Sequence, residues 1–270
     1  MSSRRRAVLG RANDLGWQLA VLGAFFVVWE IVTLLAANPY FPRPSMIFAR
    51  LWSTWFVSED GLEFAYSAET ILPSVAVSIG GWLVAAVLSI AVGIGIGLSV
   101  RASWMLLPVI NFMRSIPPPA LLPIMILLLG FGADMRFALV ALGCAWPILL
   151  NTIDGVRNID RALLETATAY HIPKSRRFFR IVLPAASPYI FSGMRISISI
   201  SLILIVIAES ISGSEGLGAH ILTAQRRFQI LDMWAGIAML GIVGYLYSLL
   251  LIIVENRALA WHRGARGKSA

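Results

Sequence analysis

Charge is what this chain has least of. Of its 270 residues only 13% are Asp, Glu, Lys or Arg, where soluble domains carry roughly a quarter. With a mean hydropathy of +0.79, that shortage excludes a soluble globular protein. Cysteine is scarcer still. Cys144 stands alone, which rules out a disulfide or thiolate metal site within the chain and suits a small packing residue in an apolar run. A hydrolytic site is also missing. The Ser and His neighbours outside the apolar runs lie in "SGSEGLGAH" (Ser212, Ser214, Glu215, His220), with no strained nucleophile turn, second His or orienting carboxylate. That stretch reads as a glycine-rich external turn. No phosphate loop is present either: in "GARGKSA" the glycine required five positions before Gly267 is replaced by His262, so the segment is a solvated basic tail and the chain does not itself bind ATP.

Long apolar runs are what is present. An α-helix needs about 20 residues to cross a hydrocarbon layer about 30 Å thick, and six runs approach that length, at about 17–36, 72–98, 104–132, 136–153, 188–211 and 233–254. The fold class is therefore all-α, a polytopic membrane protein with six transmembrane helices. Residues 1–16 read as a retained cytoplasmic tail rather than a cleaved signal, because the first run is too long and no small-residue cleavage site closes it. Residues 17–257 form one membrane domain without a linker or an evident repeat, and 258–270 a second cytoplasmic tail.

A net charge of +8 could point to nucleic acid, but its distribution points to the positive-inside rule. With the N-terminus inside, the inner segments carry Arg4, Arg5, Arg6, Arg11, Arg101, Arg114, Arg157, Arg161, Lys174, Arg176, Arg177, Arg180, Arg257, Arg263, Arg266 and Lys268. The outer segments carry only Arg43, Arg50, Arg136, Arg226 and Arg227, and Arg195 falls within the fifth run. Both termini are thus placed in the cytoplasm, with no nucleic-acid partner.

Local features sharpen this plan. Between the first two runs, "SMIFARLWSTWF" reads as an amphipathic interfacial helix anchored by tryptophans. The second run spaces Ser89, Gly93 and Gly97 four residues apart, which lets helix backbones approach closely. In the third, "SIPPPALLPI" interrupts regular helix, since each proline lacks an amide donor. Irregular backbone at membrane depth is tolerated where it lines a cavity. Ser115 and Pro118 are therefore translocation-path candidates, with a plain kink at the membrane surface as the competing reading. In the fifth run, Arg195 is near enough to the inner face to snorkel to water. Glu209, near the outer end, is either a gate residue and a third path candidate or a packing residue. Ser197, Ser199 and Ser201 fan over different faces and are expected to bond their own backbone or neighbouring helices.

The densest basic cluster sits between the fourth and fifth runs, in "ETATAYHIPKSRRFFRIVLP" (165–184). Asp160 is placed to cap a short helix running to about Tyr170. Pro173 disfavours helix at Ile172, and a second short helix is predicted at about 174–180, ending at Pro184 before the fifth span. The result is a helix-turn-helix elbow at 160–184. The plainer alternative is a basic loop that only holds orientation.

This stretch resembles the cytoplasmic signature loop of ABC importer permeases: Glu-Ala-Ala, three residues, Gly, nine residues, Ile, one residue, Leu-Pro. Glu165, Ala167, Ile181, Leu183 and Pro184 are in register, while Thr166 and His171 replace the usual Ala and Gly. Further segments, "FPRPSMIFARLW", "RSIPPPALLPIMILLLGFGADMRFALVALGCAWPILLNTIDGVRNID", "LPAASPYIFSGMRISISISLILIVIAES" and "GSEGLGAHILTAQRRFQILDMWAGI", extend the similarity to the nitrate, sulfonate, taurine and bicarbonate permease subfamily over nearly the whole chain. The resemblance implies a type I importer in a bacterial inner membrane. Two permease copies, two cytoplasmic ATPases that bind ATP and Mg, and an external solute-binding protein would complete it. It also implies that Glu165, Ala167 and His171 meet the ATPase, with Tyr170, Lys174 and Arg177 added by position. No cofactor, metal or catalytic residue is expected in the chain itself. The competing reading is an ion-coupled secondary carrier with Glu209 as the coupling carboxylate, which would require inverted repeats with broken helices.

Overall fold

The computed structural model describes residues 3–57, 65–213 and 215–260, with backbone alone for 3–15 and 65–67. Among the described residues there are helices and turns and no strand. In chain order the helices are α1 (Ser3–Ala36), α2 (Pro44–Trp55), α3 (Ala65–Leu98), α4 (Val100–Met113), a 3₁₀ turn (Pro118–Leu121) and α5 (Leu122–Leu129). They continue with α6 (Ala133–Arg157), α7 (Arg161–Ala169), α8 (Lys174–Arg177), a π-helical segment (Phe178–Val182), α9 (Leu183–Ser212), α10 (Leu217–Arg226) and α11 (Ile230–Ala258). Five helices in α1, α3, α6, α8–α9 and α11 are long and apolar enough to cross a membrane, and α4 with α5 makes a sixth crossing if the bent pair is one span.

Two of the expected spans differ in form. The third is not one helix over 104–132: α4 and the Pro118–Leu129 segment meet at a bend of 77°. Pro117, Pro118 and Pro119 cannot donate backbone hydrogen bonds, so helix cannot continue across them, and it restarts as a 3₁₀ turn. The fifth does not begin near Pro188. Helix runs without interruption from Lys174 to Ser212, because the π segment widens the helix just before Pro184, with Leu183 N–H donating to the Phe178 carbonyl. A proline then lacks only a bond that the widened turn does not use. At the N-terminus, helix extends back to Ser3 rather than starting near Trp17.

The chain divides into two compact units. One comprises α1, α2 and the stretch Ile221–Met239. Here α1 exposes most of its apolar side chains, Trp17, Phe25 and Val28 among them, as a lipid-facing helix does. Glu30 accepts hydrogen bonds from Ser45 N–H (3.1 Å) and Ser45 Oγ–H (2.7 Å), placing a carboxylate at the N-terminus of α2 where the helix dipole favours it. Along α2, Ile47, Leu51 and Trp55 turn inward, whereas Phe48 and Trp52 are exposed. The helix is amphipathic, as its sequence predicts, but Trp55 is wholly buried and only Trp52 fits the interfacial anchor. Arg50 binds Asp232 through both ends of its guanidinium at 2.6 and 3.1 Å. Trp234 stacks edge-on with Trp29 and donates to the Tyr40 carbonyl at 3.1 Å.

The second unit takes in Ser67–His220 and α11 from Leu240 onward, with α3, α6 and α9 at its centre. Gly81, Ala85, Ser89, Gly93 and Gly97 recur every four residues along α3. A Cβ on Gly81 would lie 3.0 Å from Val140, one on Gly93 2.8 Å from Thr152, and one on Gly97 2.7 Å from Val156. Backbone contact between α3 and α6 therefore requires this stripe. Gly95 is not part of it and faces open space. Between α6 and α9, a Cβ on Gly193 would meet the Pro147 carbonyl at 2.8 Å, and one on Gly155 would meet Tyr189 at 2.6 Å. Cys144 is fully buried and its thiol donates to the Ser197 carbonyl, in keeping with a packing role. Ser197 and Ser201 are buried and bond the carbonyls of Met194 and Ile198, while Ser199 is exposed on another face. Trp82 adds a bond from its indole N–H to Ser197 Oγ at 2.8 Å.

Candidate functional site

Three places in the second unit could carry function: the surroundings of Glu209, a cavity beside the proline break, and the elbow.

Glu209 is completely enclosed. Ser74 Oγ–H donates to its Oε1 at 2.7 Å and Gly218 N–H to its Oε2 at 2.9 Å, while Arg136 Nη1 lies 3.9 Å from Oε1. Ser74 Oγ also accepts from Leu217 N–H at 2.9 Å, and Arg136 donates to the Glu215 carbonyl at 3.3 Å. Below, Ser78 bonds both the Ser74 carbonyl (2.6 Å) and Tyr247 Oη (2.7 Å). The carboxylate thus joins α3, α6, α9 and the glycine-rich turn. Gly213 ends α9 in the left-handed region (φ 69°), and Gly216 (φ 106°) lies so close over the Glu209 carboxylate that a Cβ would collide with it. Ser214 lies outside the described residues. Every oxygen of the carboxylate is engaged and none opens to the cavity described next, so this geometry is that of a structural clamp. Arg195, read as snorkelling to water, has an exposed side chain that also pairs with Glu255 on α11.

A cavity of about 800 Å³ lies between α4, the 3₁₀ turn, α6 and α9. Pro118 lines it, so the prolines form part of a wall rather than a simple kink. Ser115 does not: it is exposed at the end of α4, where its hydroxyl donates to the Asn111 carbonyl at 2.8 Å. The polar part of the lining consists of Asn111 on α4 and Arg114 at its C-cap, and Asn151 and Asp154 on α6, each pair one turn apart. Sequence reasoning singled out none of these four for the path. The signal was an Asn-x-x-charge spacing on two separate apolar runs, which has meaning only once the helices face one cavity.

At the elbow, Asp160 caps α7 by accepting from Ala162 N–H at 2.9 Å, as the sequence predicts. The bend at the end of α7 is a Schellman turn: His171 N–H donates to the Thr168 carbonyl and Ile172 N–H to the Ala167 carbonyl, both at 3.0 Å. Its left-handed position is taken by His171 itself, at φ 50°. The usual glycine bend is therefore present without glycine, and Pro173 follows as the residue that starts α8. Arg177 donates to Thr168 Oγ1 at 3.2 Å, tying the two arms together. Glu165, Tyr170, His171 and Lys174 are exposed around the bend, and Arg177 is half-buried. Ala167 is a correction to its expected role at a contact surface: it is 1% exposed and packs inside the protomer, so it supports the elbow from beneath. Leu164 and Phe178, one on each arm, pack on the buried cluster of Ile94, Val156, Ile159, Val182, Ala186 and Ile190. Through this cluster the elbow is built onto α3, α6 and α9.

Long apolar helices, one of them broken beside a cavity, with a helix-turn-helix elbow continuous with a span, define the class: a membrane transport permease. Residues 85–260 match the family described as binding-protein-dependent transport system inner membrane component. The chain belongs to that family and is an ABC importer permease of the nitrate, sulfonate, taurine and bicarbonate type. It is 32% identical over 249 residues to the bicarbonate transport system permease protein of Synechococcus elongatus, covering 90% of this chain and 86% of that one. It is 31% identical over 278 residues to the nitrate import permease protein of Leptolyngbya laminosa (96% and 97% covered). With the taurine transport system permease protein of Escherichia coli it shares 28% over 245 residues (90% and 88% covered). The inward-facing MetNI methionine ABC transporter has a similar fold, with a TM-score of 0.61 at 17% identity over 70% of this chain and 94% of that one. The secondary-carrier reading finds no support here, and Glu209 is locked where that reading needs a titrating, accessible group.

Proposed function

We propose that this chain is the non-catalytic membrane subunit of an importer that carries a small or organic anion, of the sulfonate, taurine, nitrate, bicarbonate or carboxylate kind, across the bacterial inner membrane by alternating access. Two copies of the chain form the path, each contributing a cavity beside Pro118. Two cytoplasmic ATPases bind ATP and Mg, and an external solute-binding protein delivers the solute. Both termini are cytoplasmic.

The observation that carries this reading is the construction of the elbow. ATP-driven closure of a partner must reach the spans as a rigid-body movement. Here the second arm is one helix with α9 from Lys174 to Ser212, and both arms rest on a core shared with α3 and α6. Glu165, Tyr170, His171, Lys174 and Arg177 offer the polar contact surface. Force applied at the bend has no slack segment in which to dissipate.

The test is co-expression with a partner ATPase and a solute-binding protein of the same importer type, followed by uptake and ATP hydrolysis in proteoliposomes. Replacing Glu165 with Ala, or deleting residues 170–174, is expected to uncouple hydrolysis from uptake while membrane insertion persists. Unimpaired uptake in both variants, or uptake by the chain alone, overturns the reading.

A further inference from the structure

The relatives are named for solutes as different as nitrate and taurine, and the lining of the cavity bears on which of these classes this chain would take. Resting on the permease reading, we propose that the cavity takes a small zwitterion with a hydrocarbon body, its anionic group on Arg114 and its ammonium on Asp154.

The argument begins with the charge balance of the wall. Arg114 and Asp154 both line the cavity, and among the described residues neither is in an ion pair. A guanidinium presents several donors suited to a sulfonate or carboxylate, and a carboxylate only accepts. An inorganic anion would gain from Arg114 but would meet Asp154 as a like charge. It would also give up hydration to a wall that, apart from Asn111 and Asn151, is otherwise apolar. A zwitterion complements both charges at once, and its methylene groups suit the apolar remainder.

The two amides fit the same assignment. Asn151 uses its Nδ2–H on the Pro147 carbonyl at 2.8 Å, which leaves Oδ1 as an acceptor one turn from Asp154. An ammonium has three donors and needs more than one acceptor; Asp154 and Asn151 supply them from the same helix face. Asn111, on α4, stands one turn before Arg114 at the helix C-cap. The volume of about 800 Å³ is within the usual range for organic ligands and far exceeds what a three- or four-atom anion fills.

The experiment uses the full-length chain with its ATPase in nanodiscs. The probes are taurine, ethanesulfonate (the same body without the ammonium) and nitrate, and binding is followed by indole fluorescence with Trp146→Phe as the control for signal from the cavity. Taurine is expected to saturate, ethanesulfonate to bind at least about tenfold more weakly, a difference of 1.4 kcal/mol, and nitrate to give no saturable change. Asp154→Asn should erase the preference for taurine over ethanesulfonate, and Arg114→Gln should weaken both. The proposal is overturned by equal binding of nitrate, by a taurine preference that survives Asp154→Asn, or by no saturable change with any probe. These outcomes are separable from failure of the importer reading. If the ATPase co-purifies with the chain and is lost on deleting residues 170–174, the elbow assignment stands even where the ligand class falls.

Discussion

Replacing Glu209 with Gln preserves the shape of the side chain and changes what its two terminal atoms can do. In the native protein both are acceptors, one for Ser74 Oγ–H at 2.7 Å and one for Gly218 N–H at 2.9 Å. In the amide one becomes a donor facing a donor, so a hydrogen bond to a charged group is lost, a loss of about 1.5–3 kcal/mol. Arg136, 5% exposed, also loses its counter-charge. Removing one partner of a buried pair costs about 3–5 kcal/mol, and because both losses come from one carboxylate they overlap rather than add. The expected destabilisation is therefore about 3–5 kcal/mol. Ser74→Ala strips a donor from Glu209 and an acceptor from Leu217 N–H, and should cost about 2–6 kcal/mol at about 1–3 per unsatisfied group. Because the two residues share one network, the double variant should be milder than the sum. Reversible unfolding in detergent measures the magnitudes, and amide exchange of residues 215–218 reports release of the turn. The clamp reasoning is refuted if Glu209→Gln lies within about 0.5 kcal/mol of the native protein, the range of ordinary surface changes, or if the turn keeps its protection.

Other outcomes can be checked more briefly. His171→Gly should stabilise the elbow by about 0.5–1 kcal/mol, since a left-handed L-residue costs roughly 1–2 kcal/mol and glycine returns part of that as chain entropy; His171→Val should destabilise it, both read from exchange protection of Ile172 N–H. Gly193→Val, which drives a Cβ into the Pro147 carbonyl, should cost at least about 1–3 kcal/mol by overpacking and lower the yield of monodisperse protein, whereas Gly95→Ala, facing open space, should be silent in the same assay. Arg50→Ala should change stability by no more than about 1 kcal/mol in urea titration, because its partner contact with Asp232 lies at an exposed site.

Much of this was legible from residue order alone. Spans follow from run length, the cap at Asp160 from a residue type before a helix, and the break at 117–119 from three missing amide donors, because each depends on neighbours within a turn or two. The small-residue spacing of α3 also announced close packing at Gly93 and Gly97, where it is found, although it did not say which helix they meet or that Gly95 faces away from it. That distinction needs the partner helix. By sequence the elbow's second arm ends at Pro184, because proline usually stops a helix; the π segment that accommodates it leaves no simple trace in composition.

The sequence by itself determined that the chain is a multi-span helical membrane protein with a signature elbow between its fourth and fifth spans, because apolar length, proline and capping residues act locally. Only the tertiary structure decided what the polar residues within those spans are for. It moved Glu209 from a possible path to a clamp by bringing Ser74, Arg136 and Gly218 to it from three other parts of the chain. It made Asn111, Arg114, Asn151 and Asp154 into one cavity wall. The reason is that a buried polar group takes its role from its partners, and Glu209 meets Ser74 from 135 positions away in the chain.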